Sequence, residues 1–386
     1  MKHIRMFESA EQAAAILPTL EYNTLSAIRG DSGIALKPGV PPVPPGPDPT
    51  IPFYIEDVSG SNNTISIIKS NRSASTLTIE KSTDGITWES MGTTSTTAIT
   101  ATIPANGKLY LRCYTDQWGK NSNYYNYFNT STGNVNVGGN IMSLLYGVVF
   151  NGQTEFNGNY NYRFISLFKN PKIISAANLL LPATTLNTGC YYNMFNNCTA
   201  LTTAPTLPAT TLDNECYYGM FMGCTALTTA PALPATTLTN SCYGAMFYNC
   251  TSLTTVPALP ATTLANDCYY LMFSDCTSLT TAPALPATTL ANNCYSNMFV
   301  GCTALTTAPV LQATTLTDYC YGSMFKNCTN LTYIKCLATD ISASNCTNNW
   351  VSGVASTGTF VKNPNMSSWS TDANGIPSSW TVEDAA

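Results

Sequence analysis

The sequence predicts a repeat solenoid of α/β coils, 26 residues each, preceded by a small antiparallel β-sandwich and a short N-terminal helical anchor. Three observations carry this prediction. From residue 181 the chain repeats at a fixed period, with LPATTLNTGCYYNMFNNCTALTTAPT as one unit. One cysteine recurs at Cys190, Cys216, Cys242, Cys268, Cys294, Cys320 and Cys346, and a second at Cys198, Cys224, Cys250, Cys276, Cys302 and Cys328, without a slip of register. A proline-rich run then separates the N-terminal piece from short segments that alternate apolar and polar residues. A period of this length marks supersecondary units that bury their apolar stripe only by stacking.

Residues 1–37 carry a helix signal, with Ser9 as N-cap and Gln12 closing a capping box ahead of three alanines. This anchor is too small to fold alone. Residues 38–52, with Pro41-Pro42 and Pro44-Pro45, read as an extended polyproline spacer. Residues 53–140 read as a small β-domain and cap. Thr64 to Lys69, Leu77 to Ser82, Ile86 to Ser90 and Lys108 to Cys113 alternate apolar and polar, and Asp84-Gly85 marks a hairpin turn. The segment 114–140, rich in Asn, Tyr and Gly, leads through Ile141-Met142 into the array at 141–354, and 355–386 forms the closing cap.

Within one unit, Cys190, Met194, Cys198 and Leu201 fall at the spacing of one helical face, so this half predicts a short helix or helical turn. Pro205 and Pro208 stop a helix, and the Thr-rich LTTAP and LPATTL segments predict a strand with Leu207 and Leu212 pointing inward. Adjacent threonines of a strand face opposite sides, which argues against a paired outward row of the ice-binding kind. The end units are atypical, as a stacked array requires. Trp350 and Val351 replace Met-Phe and Val354 replaces the second cysteine at the close. Upstream, Leu167, Phe168, Ile174 and Leu181 match Met194, Phe195, Leu201 and Leu207 with one residue inserted, and Arg163 and Pro171 take the cysteine positions.

Composition removes several function classes. Charged residues make up 10% of the chain, Lys plus Arg number 16 against 21 Asp plus Glu, and the one histidine is His3. That balance argues against nucleic-acid binding, and a lone terminal histidine argues against His-based catalytic or metal sites. No cofactor is expected. No apolar run approaches a membrane span, and Glu8 and Glu11 interrupt what a signal peptide would need, so synthesis in a host cytoplasm is expected. The cysteines read chiefly as a buried ladder of free thiols; zinc would want closer ligand spacing, and a disulfide would have to join adjacent coils. A carboxylate-pair glycosidase is the competing enzyme class, with Glu155, Asp213, Glu215, Asp267 and Asp275 as its supply of acids.

The unit CYxxMFxxCTxLTTAPxLPATTL, over about residues 160 to 350, resembles the repeat of BspA-like leucine-rich repeat surface proteins. The stretch Arg5-Met6-Phe7-Glu8 through Ser26-Ala27-Ile28 resembles the leading segments of virion proteins of crAss-like and other Bacteroidales phages. The resemblance implies leucine-rich-repeat-like coils, although the signature L-x-x-L-x-L-x-x-N/C-x-L is absent. It also implies a non-enzymatic virion fibre or appendage that attaches to a host-surface glycan or protein. Its N-terminal segment would sit on a virion platform protein, and the chain would form a homo-oligomer such as a trimer. A bacterial cell-surface adhesin and a purely structural decoration protein are the alternatives. Positions that vary between coils nominate a ligand-binding face: Tyr192, Glu215, Tyr218, Met222, Tyr248, Asp267, Tyr270, Asp275, Asp318 and Tyr319. Tyrosines beside carboxylates suit glycan or protein surfaces because a flat amphipathic ring gives contact area at low entropy cost.

Overall fold

The computed structural model describes residues 6–7, 25–30, 33–38, 46–71, 74–115, 118–121, 123–129, 131–156, 160–170, 172–366 and 369–386. The chain divides into two compact units, Met1–Asp48 and Pro49–Ala386. In the first, β1 (Met6–Phe7), β2 (Leu25–Gly30) and β3 (Gly33–Pro38) form an antiparallel sheet in the order β1-β3-β2. β2 and β3 pair from Leu25 opposite Pro38 to Gly30 opposite Gly33, a hairpin that the sequence pattern does not announce. The helix expected from Ser9 onward lies outside the described residues.

The second unit begins with two facing sheets. β4 (Tyr54–Asp57), β6 (Thr78–Ser82), β7 (Glu89–Thr93), β9 (Lys108–Cys113) and β12 (Val135–Asn140) belong to one. The other holds β5 (Asn63–Lys69), β8 (Ile99–Ile103), β10 (Gly119–Asn121) and β11 (Tyr124–Phe128) in the order β10-β11-β5-β8. Alternation places Ile65, Ile67, Leu109, Leu111 and Cys113 in the shared core with Trp118 and Phe128. The hairpin turn is built on Asp84, whose carboxylate accepts the N–H groups of Ile86 at 2.8 Å and Thr87 at 2.7 Å. Those bonds hold its carboxyl well below the usual range. They also delay the next strand to Glu89, three residues after the expected start. The end of the proline run is part of this unit: Asn140 donates its backbone N–H to the Ile51 carbonyl and its side-chain amide to the Pro49 carbonyl.

The larger sheet has the order β13-β12-β4-β9-β6-β7, and β13 (Ile173–Leu180) pairs in parallel with β12, so the sheet runs directly into the repeats. The one α-helical segment among the described residues is α1 (Ser143–Tyr146), followed by a tight turn at 147–149.

Of the short helix or helical turn expected from Cys190 to Leu201, the structure overturns the helix and folds the segment into consecutive turns. The N–H groups of Cys190, Tyr192, Met194, Asn196 and Cys198 donate to the carbonyl three residues back. Those of Tyr191, Asn193, Phe195 and Asn197 donate across to the next coil, to the carbonyls of Cys216, Tyr218, Met220 and Met222 at 2.8–2.9 Å. Gly189, Asn193 and Asn197 take positive φ, and the same positions do so in the following coils. Asn and Gly tolerate that conformation best, and they occupy most of these positions. A left-handed residue at every fourth position bends the chain so that CY, MF and C point inward and the intervening pairs outward. The i, i+4 spacing is common to this lattice and to a helix, but only the lattice leaves half of the amides to bind the neighbouring coil.

Inside run two aromatic ladders. Tyr191, Tyr217, Tyr243, Tyr269, Tyr295 and Tyr321 stack at 5.7–6.1 Å between ring centroids. Phe168, Phe195, Phe221, Phe247, Phe273, Phe299 and Phe325 stack at 4.9–5.8 Å. Both ladders end on Trp350. All fifteen cysteines are buried and free. The second cysteine column also ties coils together, because Cys224, Cys250, Cys276, Cys302 and Cys328 each donate Sγ–H to the phenylalanine carbonyl of the preceding coil at 3.0–3.2 Å. Burial pushes the Cys250 thiol up to about 12.

The leucine half buries Leu201, Leu207 and Leu212 as expected. The expected strand, however, is reduced in the central coils to isolated parallel bridges such as Thr229–Thr255 and Thr263–Thr289. Prolines remove ladder donors in each of those coils. Where the first proline is missing, strands form: β13 at the start, and β14 (Tyr333–Cys336) with β15 (Thr359–Lys362) and β16 (Thr381–Asp384) in a parallel sheet at the end. Without a regular strand the threonines do not alternate. Both members of the pairs Thr202-Thr203 and Thr210-Thr211 are exposed, which corrects the expectation of opposite sides. Several outward hydroxyls are engaged by the protein itself, Thr254 Oγ1 donating to the Thr228 carbonyl and Thr332 Oγ1 to that of Thr306.

Candidate functional site

Each coil presents its outward pairs in three columns on the turn face. Glu215, Asp267, Asp318 and Tyr319 stand before the first cysteine of their coils, Tyr192, Tyr218 and Tyr270 after the fixed tyrosine, and Met222, Tyr248 and Asp275 before the second cysteine. The ten nominated residues therefore share one face, but they are spread over its length and form no single cleft. Tyr319 is exposed, and the other nine are half-buried. Variation here is bounded by the backbone. Glu215, Asp267, Asp275 and Tyr319 hold φ between 55° and 59°, a conformation that Asp tolerates and that disfavours Glu and Tyr.

Two groups stand out. Near the start of the array, Tyr192 and Tyr218 stack with centroids 5.0 Å apart and planes 10° from parallel. Tyr162 of the opening coil meets Tyr192 edge-on at 6.2 Å and donates its hydroxyl to Glu215 Oε2 at 3.0 Å. Burial, then the bond to Glu215, pushes the Tyr162 phenol up to about 12, so it remains a donor. Tyr218 is likewise pushed up to about 12, first by burial and then by the neighbouring Tyr192 and Tyr270. Tyr162 is hidden in the sequence because the opening coil carries an inserted residue; its alignment with Gly189, one position before Arg163, is the available signal. Near the far end, Tyr319 accepts the Asn345 side-chain amide at 2.8 Å and Asp318 accepts the Ser344 N–H at 2.9 Å.

The acids weighed for a glycosidase are dispersed. Asp213 accepts the Thr188 hydroxyl at 3.0 Å, Glu215 is bound by Tyr162, and burial raises the Asp267 carboxyl. No hydrogen bond joins two of these carboxylates among the described residues. Nor do those residues contain a group of three or more His, Cys, Asp or Glu placed to hold a metal. On the proline side, two grooves of about 540 and 470 Å³ recur two coils apart. One lies between Thr254–Pro260 and Thr281–Pro286, the other between Thr202–Pro208 and Thr228–Pro234. Compared with known proteins, the chain matches no family model, no curated protein and no solved structure.

Proposed function

We propose that this is a non-enzymatic attachment protein whose repeats form a leucine-rich-repeat-like solenoid and whose turn face contacts a host-surface glycan or protein. The observation that carries the reading is the division of labour within each coil. Inward columns are nearly invariant along the array, while outward columns change and cluster tyrosines beside carboxylates, as at Tyr192, Tyr218 and Glu215. Rings of this kind supply rigid, amphipathic contact area, and repetition converts weak contacts into avidity. The resemblance of the repeats and of the N-terminal stretch favours display on a virion, as a fibre or appendage held through the first unit and assembled as a homo-oligomer.

The test uses the full chain. It should appear in purified phage particles by mass spectrometry, and the recombinant protein should compete with phage for adsorption to host cells. Tyr192→Ser with Tyr218→Ser should abolish competition while circular dichroism stays unchanged. Undiminished competition by a folded double variant would refute the turn face as the contact surface; a chain found only on bacterial cells would replace the virion by the cell envelope.

A further inference from the structure

We infer that the corner formed by Tyr162, Tyr192, Tyr218 and Glu215 binds an ammonium group, either a quaternary amine or a protonated primary amine carried by a surface polymer. Tyr162 stands 62° from the plane of Tyr192, while Tyr192 and Tyr218 lie nearly parallel, so Tyr162 crosses the end of a two-ring stack and makes a corner with Tyr192. The Glu215 carboxylate is pinned at that angle by the Tyr162 hydroxyl at 3.0 Å. An aromatic ring face beside a fixed carboxylate is the chemistry that recognises an alkylammonium ion.

The two outer rings are seated on glycines. A Cβ at Gly189 would collide with the Tyr162 ring, and one at Gly244 would come within 2.7 Å of the Tyr218 ring. Glycine at these two places lets both tyrosines lie close against the neighbouring backbone, which holds the walls in position. The surrounding charge has the matching sign. Along the outward pairs stand Glu215, Asp267, Asp275 and Asp318 against Lys326 and Lys169, and the Lys169 ammonium is engaged by the Tyr125 hydroxyl at 2.7 Å. Arg163, next to Tyr162, faces the other way: it is 1% exposed, with its guanidinium 5.4 Å from the centroids of the Phe156 and Tyr160 rings. An anionic ligand would meet the Glu215 carboxylate at this corner, and a neutral sugar would leave that charge uncompensated.

The inference rests on the attachment reading only in taking the turn face as the contacting one, and its test does not involve cells. Choline is titrated into the full-length protein and followed by proton NMR of its methyl groups. Its uncharged isostere, in which a quaternary carbon replaces the nitrogen, is the control. A saturable upfield ring-current shift for choline is expected, with binding of the isostere at least about tenfold weaker. Tyr192→Ala should remove the shift, and Glu215→Gln, which keeps size and hydrogen bonding, should weaken binding about fivefold. Equal binding of the isostere, or unchanged choline binding in both variants, would overturn the inference. Loss of host-cell competition in Tyr192→Ser/Tyr218→Ser without any choline binding would also overturn it, and would leave the attachment reading standing.

Discussion

Alkali should unfold this protein in one steep step, and the thiol columns set where. Cys198, Cys242, Cys250, Cys320, Cys328 and Cys336 in the repeats and Cys113 in the sandwich are all pushed up to about 12, in each case chiefly by burial. A free thiol titrates near about 8.5. Because the folded value is the higher one, each thiol's contribution is complete below about pH 8.5 and is lost as pH climbs from there toward about 12. One pH unit above the free value, each buried thiol disfavours the folded state by roughly 1 to 2 kcal/mol. Seven of them together reach on the order of 10 kcal/mol, comparable with the whole stability of a typical domain. The expected result is cooperative loss of structure between about pH 9 and 10.5, with thiolate absorbance, tyrosinate absorbance and circular dichroism changing together. Thiols that ionise one by one while the circular dichroism persists above about pH 11 would refute the buried-ladder account.

Three further outcomes are expected. Leu271 holds φ 56° where four of the six equivalent coils place Asn or Gly (Asn193, Gly219, Asn297 and Asn349), the others having Ala245 and Ser323, so Leu271→Asn should raise stability by about 1 kcal/mol, read from the denaturant midpoint. Phe247, fully buried between Phe221 and Phe273 at 5.7 Å on either side, should cost about 3–5 kcal/mol when changed to Ala, by the same measurement. A thiol reagent near neutral pH should label essentially none of the fifteen cysteines in the native protein and all of them in denaturant; rapid native labelling would contradict their burial.

What is legible in the sequence is whatever repeats. The period, the inward columns and the degenerate closing unit at Trp350 follow from spacing alone, because an in-register stack requires the same side chain at the same place in each coil. The local conformation is ambiguous for a physical reason. Cys190, Met194 and Cys198 at four-residue intervals satisfy a helix face and a chain of left-handed turns equally. The Asn or Gly in the outward pairs, as at Gly189, Asn193 and Asn197, is the discriminating signal. That signal also qualifies the nominated face, since a varied column can reflect backbone preference as well as recognition. The strand half fails because Thr-rich propensity is outweighed by Pro205 and Pro208, which have no amide to give a ladder. Tyr162 is hidden by a single inserted residue, and with it the group that orients Glu215.

The hydrogen bonds that join coils run along the stack, from Tyr191 to Cys216 and from Phe195 to Met220, and the pattern continues down the array. For a stack under load this orientation has a mechanical meaning. Traction on the two ends of the array opens one coil at a time, like a zip, instead of shearing many bonds at once. Each coil released frees 26 residues, about 90 Å of extended chain, from a layer only about 5 Å thick. Force applied to the array is absorbed as a series of short yielding steps, and extension in a single-molecule pulling trace should advance in increments of that length.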